Sequence, residues 1–132
     1  MHARDHAARA LDIKIVSVNL GSATVSMAVR QDMVNGHDIC HSGYMALVCD
    51  TAFAYACNSY NFNTVASGFS IEILAPAKLG DTLVAVAVEQ AQRGRQGVYD
   101  IKLTNQNGDI IALFRGKSAR IAGEVIPTQS AD

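Results

Sequence analysis

Apolar and polar positions change rhythm several times along this chain. Residues 13–20 and 23–30 carry alternating or β-branched runs separated by Gly21 and Ser22, which predicts two antiparallel strands, with a short Ala-rich helix before them. Residues 31–42 have few periodic apolar positions and contain Asn35-Gly36, a dipeptide that favours tight turns, so they read as a loop. From residue 43 to about residue 60 the side chains are mostly Ala, Leu, Met, Phe, Tyr and Cys, without Pro or internal Gly. That run is longer than a strand needs and predicts a helix apolar nearly all round. Period two returns after Asn63: Phe69, Ile71 and Ile73 alternate with Ser70, Glu72 and Leu74 before Pro76 and Gly80-Asp81 interrupt. Leu83 to Val88 is apolar at successive positions, as in a central strand covered on both sides, whereas Tyr99, Ile101 and Leu103 alternate with Asp100, Lys102 and Thr104. Asn107-Gly108 then turns the chain into a last strand over 109–121, and the tail after Gly123 is expected to be mobile.

Two strands, a loop, a long apolar helix and four more strands make an α+β chain. Such a helix stays apolar only if a curved antiparallel sheet wraps it, and the open edges of that sheet invite pairing with a second copy. The 132 residues suit one domain, 1–132, with no linker. Lys+Arg 11 against Asp+Glu 12 leaves a net charge of -1, which argues against a nucleic-acid backbone or an anionic membrane as partner. A small molecule or another copy of the chain fits better. Cys40, Cys49 and Cys57 make an odd count without CxxC spacing, the pattern of free thiols in a reducing compartment. No apolar h-region precedes the first strand, so export is not expected, and the longest apolar run, 43–57, is short of the roughly 20 residues that span a bilayer. The expected location is the cytoplasm.

Asp50 departs from its surroundings. Its helix-face neighbours are Gly43, Ala46, Leu47, Phe53, Ala54 and Cys57, while Tyr44, Thr51, Tyr55 and Asn58 fall on a face about 100° away. A carboxylate on an apolar surface costs on the order of several kcal/mol or takes up a proton, unless a donor, a partner chain or a water-lined site compensates it. Backbone N–H groups or an Arg would make it structural; a water-lined site would make its basicity usable. The loop before it favours the second reading. Asn35, His37, Cys40 and His41 crowd there, and Ser42-Gly43 stands where the first free N–H groups of the helix point outward, a natural oxyanion site.

The stretch Asn35-Gly36-His37-Asp38-Ile39-Cys40-His41-Ser42-Gly43-Tyr44, followed by Asp50-Thr51-Ala52-Phe53-Ala54-Tyr55-Ala56-Cys57-Asn58-Ser59, closely resembles the phenylacetic acid degradation thioesterases, a family of hotdog-fold acyl-CoA hydrolases. That family's pattern is N-G-x-x-x-x-H-G-G, with the catalytic Asp seven residues after the second Gly. Gly80-Asp81-Thr82, Gly97-Val98-Tyr99-Asp100-Ile101 and Ala112-Leu113-Phe114-Arg115-Gly116-Lys117-Ser118 resemble its strands, so the likeness covers nearly all of the chain after about the first twenty residues. It implies a hotdog fold and hydrolysis of phenylacetyl-CoA-like and hydroxylated aryl-acetyl-CoA thioesters in bacterial aromatic degradation. It also implies a homotetramer of dimers with each active site at a dimer interface, and no cofactor beyond the CoA of the substrate. Carried over residue by residue, Asp50 is general base or nucleophile, facing Asn35 and the helix N-terminus of the other subunit. Asn35 holds the water or the thioester carbonyl, His41 bonds near the carbonyl or the leaving sulfur, Ser42 and Gly43 stabilise the oxyanion, and Thr51 supports Asp50. Ser42 is a departure: the family has Gly there. Ser keeps the N–H but adds a Cβ and a hydroxyl and tolerates positive φ poorly, so the substitution bears on the oxyanion geometry or on the shape of the acyl pocket, and would reduce turnover or narrow the substrate range.

Other readings of these residues are weaker. His37, Cys40, His41 and Asp50 as metal ligands lack a second ligand pair with finger-like spacing, so no metal is expected. Cys40 next to His41 as a thiol nucleophile lacks an acidic partner for the His. Arg93, Arg95, Arg115, Lys117 and Arg120 are candidates for the CoA phosphates, Tyr44, Phe53 and Tyr55 for an aryl pocket, and Ser67 and Ser70 for the catalytic water; each is also an ordinary surface or core residue. An enoyl-CoA hydratase of this fold typically has His five residues after its Asp, where this chain has Tyr55. A non-catalytic acyl-CoA-binding protein is the rival from another class, with Ser42 as its one hint. No basic helix-turn-helix segment supports a DNA-binding regulator.

Overall fold

The computed structural model describes residues 2–126, so the expected mobility of the tail lies, for residues 127–132, outside the described residues. The start of that tail is fastened: the backbone N of Ile126 donates to Asn61 Oδ1 at 2.7 Å and its O accepts from Asn61 Nδ2 at 2.9 Å. Helix α1 (His6–Ala10) precedes β1 (Lys14–Asn19) and β2 (Ser22–Ala28), and α2 (Ser42–Cys57) is followed by β3 (Thr64–Ile73), β4 (Thr82–Arg93), β5 (Gln96–Thr104) and β6 (Ile110–Arg120). The strands form one antiparallel sheet in the order β1-β2-β4-β5-β6-β3. The long segment containing α2 places β3 at the far edge, beside β6.

Alternation decides which side chains meet the helix. Ala23, Val25 and Met27 of β2, Leu83, Ala85 and Ala87 of β4, Tyr99, Ile101 and Leu103 of β5, and Ala112 and Phe114 of β6 are buried on the inner face, against Met45, Val48, Cys49, Ala52, Phe53 and Ala56 of α2. Gly116 is required by packing: a Cβ there would stand 2.7 Å from the Phe53 ring. The helix stops at Cys57, three residues before the expected end. Asn58 closes it, its Nδ2 donating to the Ala54 and Thr64 carbonyls at 2.8 and 3.1 Å while its Oδ1 accepts from Thr64 N at 2.9 Å.

The strand expected to be covered on both faces is covered on one. Leu83, Ala85 and Ala87 are buried, but Val86 and Val88 are 38% and 46% exposed on the outer face, where the described residues supply no second layer. Period-two reading finds the apolar positions without showing what covers them.

Candidate active site

The loop into α2 is held by its own groups. Asn35 Oδ1 accepts from the backbone N of His37 at 2.9 Å and of Ile39 at 3.2 Å, and Asp38 N donates to Asn35 O at 3.0 Å. The turn's left-handed residue is Asp38, with φ 59, rather than Gly36. Asn35 therefore organises the loop with its oxygen and leaves its Nδ2 outward, without a partner among the described residues. His41 is the N-cap of α2 in extended conformation, its backbone N bonded to Met33 O at 2.9 Å and its ring making no cap bond. Ser42 and Gly43 follow as exposed first-turn residues. Their N–H groups belong to the set that an α-helix leaves unpaired at its start.

The backbone part of the expected difficulty at Ser42 does not arise. Neither Ser42 nor Gly43 has a positive φ, and a Cβ at Gly43 would meet nothing within 4 Å. The backbone here is that of an ordinary helix start, which Ser adopts without strain.

Two turns on, Asp50 stands in the partly exposed stripe of α2 with Gly43, Ala46, Leu47, Ala54 and Asn58, while Cys49, Thr51, Ala52 and Phe53 beside it are buried. Its carboxylate accepts no hydrogen bond and makes no ion pair among the described residues. Burial first, and the Asp5 carboxylate second, raise its pKa above the ordinary aspartate value. Asp5 comes from the N-terminal segment, which lies against α2: Asp5 Oδ1 caps α1 by accepting from Ala8 N at 3.1 Å, and His2 Nδ1 stands 3.2 Å from the Tyr55 hydroxyl. Sequence reading left this segment out of the site, because contacts 45 to 53 residues apart have no local signal.

Residues 37–112, more than half of the chain, match the Thioesterase superfamily. The Acyl-coenzyme A thioesterase PaaI of Escherichia coli K12 is 48% identical over 95% of this chain and 89% of its own length. The structure of the E. coli PaaI protein from the phenylacetic acid degradation operon superposes with a TM-score of 0.92 over 94% of this chain and 90% of that one. A putative esterase of Archaeoglobus fulgidus is 31% identical over 97% of this chain and 83% of its length. A Streptococcus mutans UA159 protein bound to acetyl-CoA shares 26% identity and a TM-score of 0.80, over 84% and 90% of the two chains.

The chain belongs to the thioesterase superfamily. Its fold is the hotdog fold of that family, a curved antiparallel sheet around one helix. Within this thioesterase chain, His41, Ser42, Gly43 and Tyr44 form the start of α2, Asn35 lies in the loop before it, and Asp50 does not join them. Eight residues separate it from Ser42, which is about 12 Å along a helix axis. Thr51 is buried and donates its hydroxyl to Leu47 O at 2.8 Å, back along the helix rather than toward Asp50. Arg115 and Lys117 are on the outer face of β6, where Arg115 is bound bidentately to Asp100 at 2.6 and 2.8 Å, and Arg93 ends β4; none of the three reaches the start of α2 within the chain. That pairing holds the Asp100 carboxyl below the usual range.

Phe53 and Tyr55 are buried in the core and line no aryl site, whereas Tyr44 is half-exposed. Ser67 donates to Lys117 O at 3.1 Å from the bulge between Ala66 and Gly68. Burial pushes the Cys49 and Cys57 thiols to about 12 and raises Cys40, so none is a ready thiolate. The side chains of His37, Cys40, His41 and Asp50 do not converge on a common point.

Proposed function

We propose that this chain hydrolyses acyl-CoA thioesters, aryl-acetyl-CoA among them, to the free acid and CoA, with Asp50 as the central catalytic group. The observation that carries this is a partly buried carboxylate of raised pKa, without hydrogen bond or ion pair among the described residues, on the open stripe of α2. It stands in a chain 48% identical to a PaaI acyl-CoA thioesterase. In general-base form, Asp50 takes a proton from water as the water oxygen bonds to the thioester carbonyl carbon. The resulting oxyanion is met by the free N–H groups of Ser42 and Gly43, and the C–S bond breaks as the thiolate leaves. Asn35 Nδ2 and the His41 ring would bond the carbonyl oxygen or the leaving sulfur. In the nucleophilic form Asp50 attacks first, giving a mixed anhydride that water then opens.

The separation of about 12 Å between Asp50 and the oxyanion donors favours a site shared by two copies, each supplying one half. The edge strand β3 suits such pairing. It has ten residues, lacks Pro and Lys, and exposes Val65, Phe69 and Ile73 at 46%, 53% and 42%. The outer face around Val86, Val88 and Leu113 would then join dimers into a homotetramer. No metal or further cofactor enters this mechanism. The cytoplasm, where CoA thioesters are made, is the proposed location; no helix among the described residues is long and apolar enough to cross a membrane. The binding-only alternative draws no support from backbone strain, since Ser42 has no positive φ.

The test is thiol release from phenylacetyl-CoA and hydroxyphenylacetyl-CoA by wild type, Asp50→Ala and Asp50→Asn. Both variants are expected to lose at least about 10²-fold in turnover. A wild-type protein that binds these thioesters without releasing CoA above background would overturn the proposal.

A further inference from the structure

The start of α2 has a groove on each side; both are lined mostly by apolar side chains, and the one beside α1 exposes less polar surface. One, of about 370 Å³, runs between Ile39, Ser42 and Met45 and the chain leaving β3 at Ile73 to Pro76. The other, of about 410 Å³, lies between α1 and α2: Ala7, Ala10 and Leu11 form one wall, Tyr44 and Leu47 the other. His41 and Gly43 stand at its mouth, beside the free N–H groups that would hold a thioester oxygen.

We propose that this α1–α2 cleft receives the acyl group of the thioester, so that the N-terminal helix is the part of the chain that selects the substrate. The inference rests on the thioesterase reading above. The acyl and pantetheine arms leave a thioester carbonyl in opposite directions, so a carbonyl held at Ser42 and Gly43 directs one arm to each groove. Pantetheine carries two amides, which are costly to bury without partners. The walls of the α1–α2 cleft are alanine and leucine side chains and a tyrosine ring, which suit an apolar or aromatic acyl group instead. The Tyr44 hydroxyl makes no hydrogen bond among the described residues and can meet a ring hydroxyl. The wall formed by α1 is anchored rather than loose. Ala8 is buried, Asp5 caps the helix, His2 meets Tyr55, and Arg30 Nη1 donates to Ala10 O at 3.2 Å.

Ala7 and Ala10 are exposed, so larger side chains there fill the cleft without disturbing the core. Ala10→Phe, with Ala7→Phe as an independent variant one turn earlier, is expected to lower the ratio of kcat/KM for phenylacetyl-CoA over acetyl-CoA by at least about tenfold. Tyr44→Phe is expected to reduce the preference for hydroxyphenylacetyl-CoA over phenylacetyl-CoA. Ratios equal to wild type in both alanine variants would overturn the assignment, as would equal losses on the two substrates with Tm unchanged. The same ratio measured as affinity, by calorimetry with phenylacetyl-CoA and acetyl-CoA in an Asp50→Ala background, reads the cleft independently of turnover. If wild type hydrolyses nothing, that binding ratio still decides whether the cleft takes the acyl group. A loss of hydrolysis with an intact binding preference would then count against the catalytic reading alone.

Discussion

On the proposed mechanism, function and stability oppose each other at Asp50. The folded chain raises the pKa of this carboxyl through burial and then through Asp5, so it holds its proton to higher pH folded than unfolded. Its contribution to stability is therefore greatest at low pH, where it is protonated in both states. It declines as pH rises above the unfolded value of about 3.9 and reaches its full cost above the folded pKa. Asp50→Asn is thus expected to raise Tm at pH 7 while removing turnover, with the gain in Tm vanishing as the pH falls below the ordinary carboxylate range; thermal melts across pH check this. The acid limb of kcat/KM should report the same group. Asp5→Asn removes the second cause of the shift and is expected to move that limb to lower pH. Ser42→Gly is expected to leave kcat/KM and Tm close to wild type, because position 42 has no left-handed φ for glycine to relieve. The special character of Asp50 was readable from its apolar neighbours, but the φ of Ser42 was not, since a residue's φ depends on where the helix starts.

Among the elements, α2 meets β6 where the Phe53 ring lies against a glycine. Phe53 lies over Gly116, 5.6 Å from the Tyr99 ring centroid and 6.1 Å from that of Phe114, and Phe114 stacks on Phe69 at 4.8 Å. Gly116→Val forces a side chain into that ring and is expected to destabilise the chain by about 1–3 kcal/mol, read as a lowered urea midpoint. Existence and type of each element were legible, because the change from period two to a long apolar run is local. The helix end was misplaced by three residues because Asn58, polar and apparently helical by position, bonds across to Thr64. Arg115 and Lys117 matched the family's strand segment, yet whether a strand residue faces the helix or the outside depends on the register with β3 and β5, and both face out.

For the whole molecule, the outer face of the sheet is the least explained by one chain. Val86, Val88 and Leu113 surround a hollow of about 750 Å³ that is far from the start of α2, with the Asp100–Arg115 pair among its lining. As part of an interface between dimers, it predicts that Val86→Lys with Val88→Lys lowers the mass seen by sedimentation while a dimer keeps its thioesterase activity. Interruption of β3 by Ser70→Pro, in contrast, is expected to lose activity together with the dimer, because in the proposed assembly each site draws on two copies.

By itself the sequence determined the α+β class, the helix, the turns, the candidate site and the family likeness, all of which depend on residue type at short spacing. Tertiary structure decided the rest. It laid the N-terminal segment along α2 beside Asp50, turned Arg115 and Lys117 away from the helix, and left one face of β4 open. Those outcomes depend on which distant segments pack together, and the energy of that packing is spread over many side chains rather than carried by any local pattern.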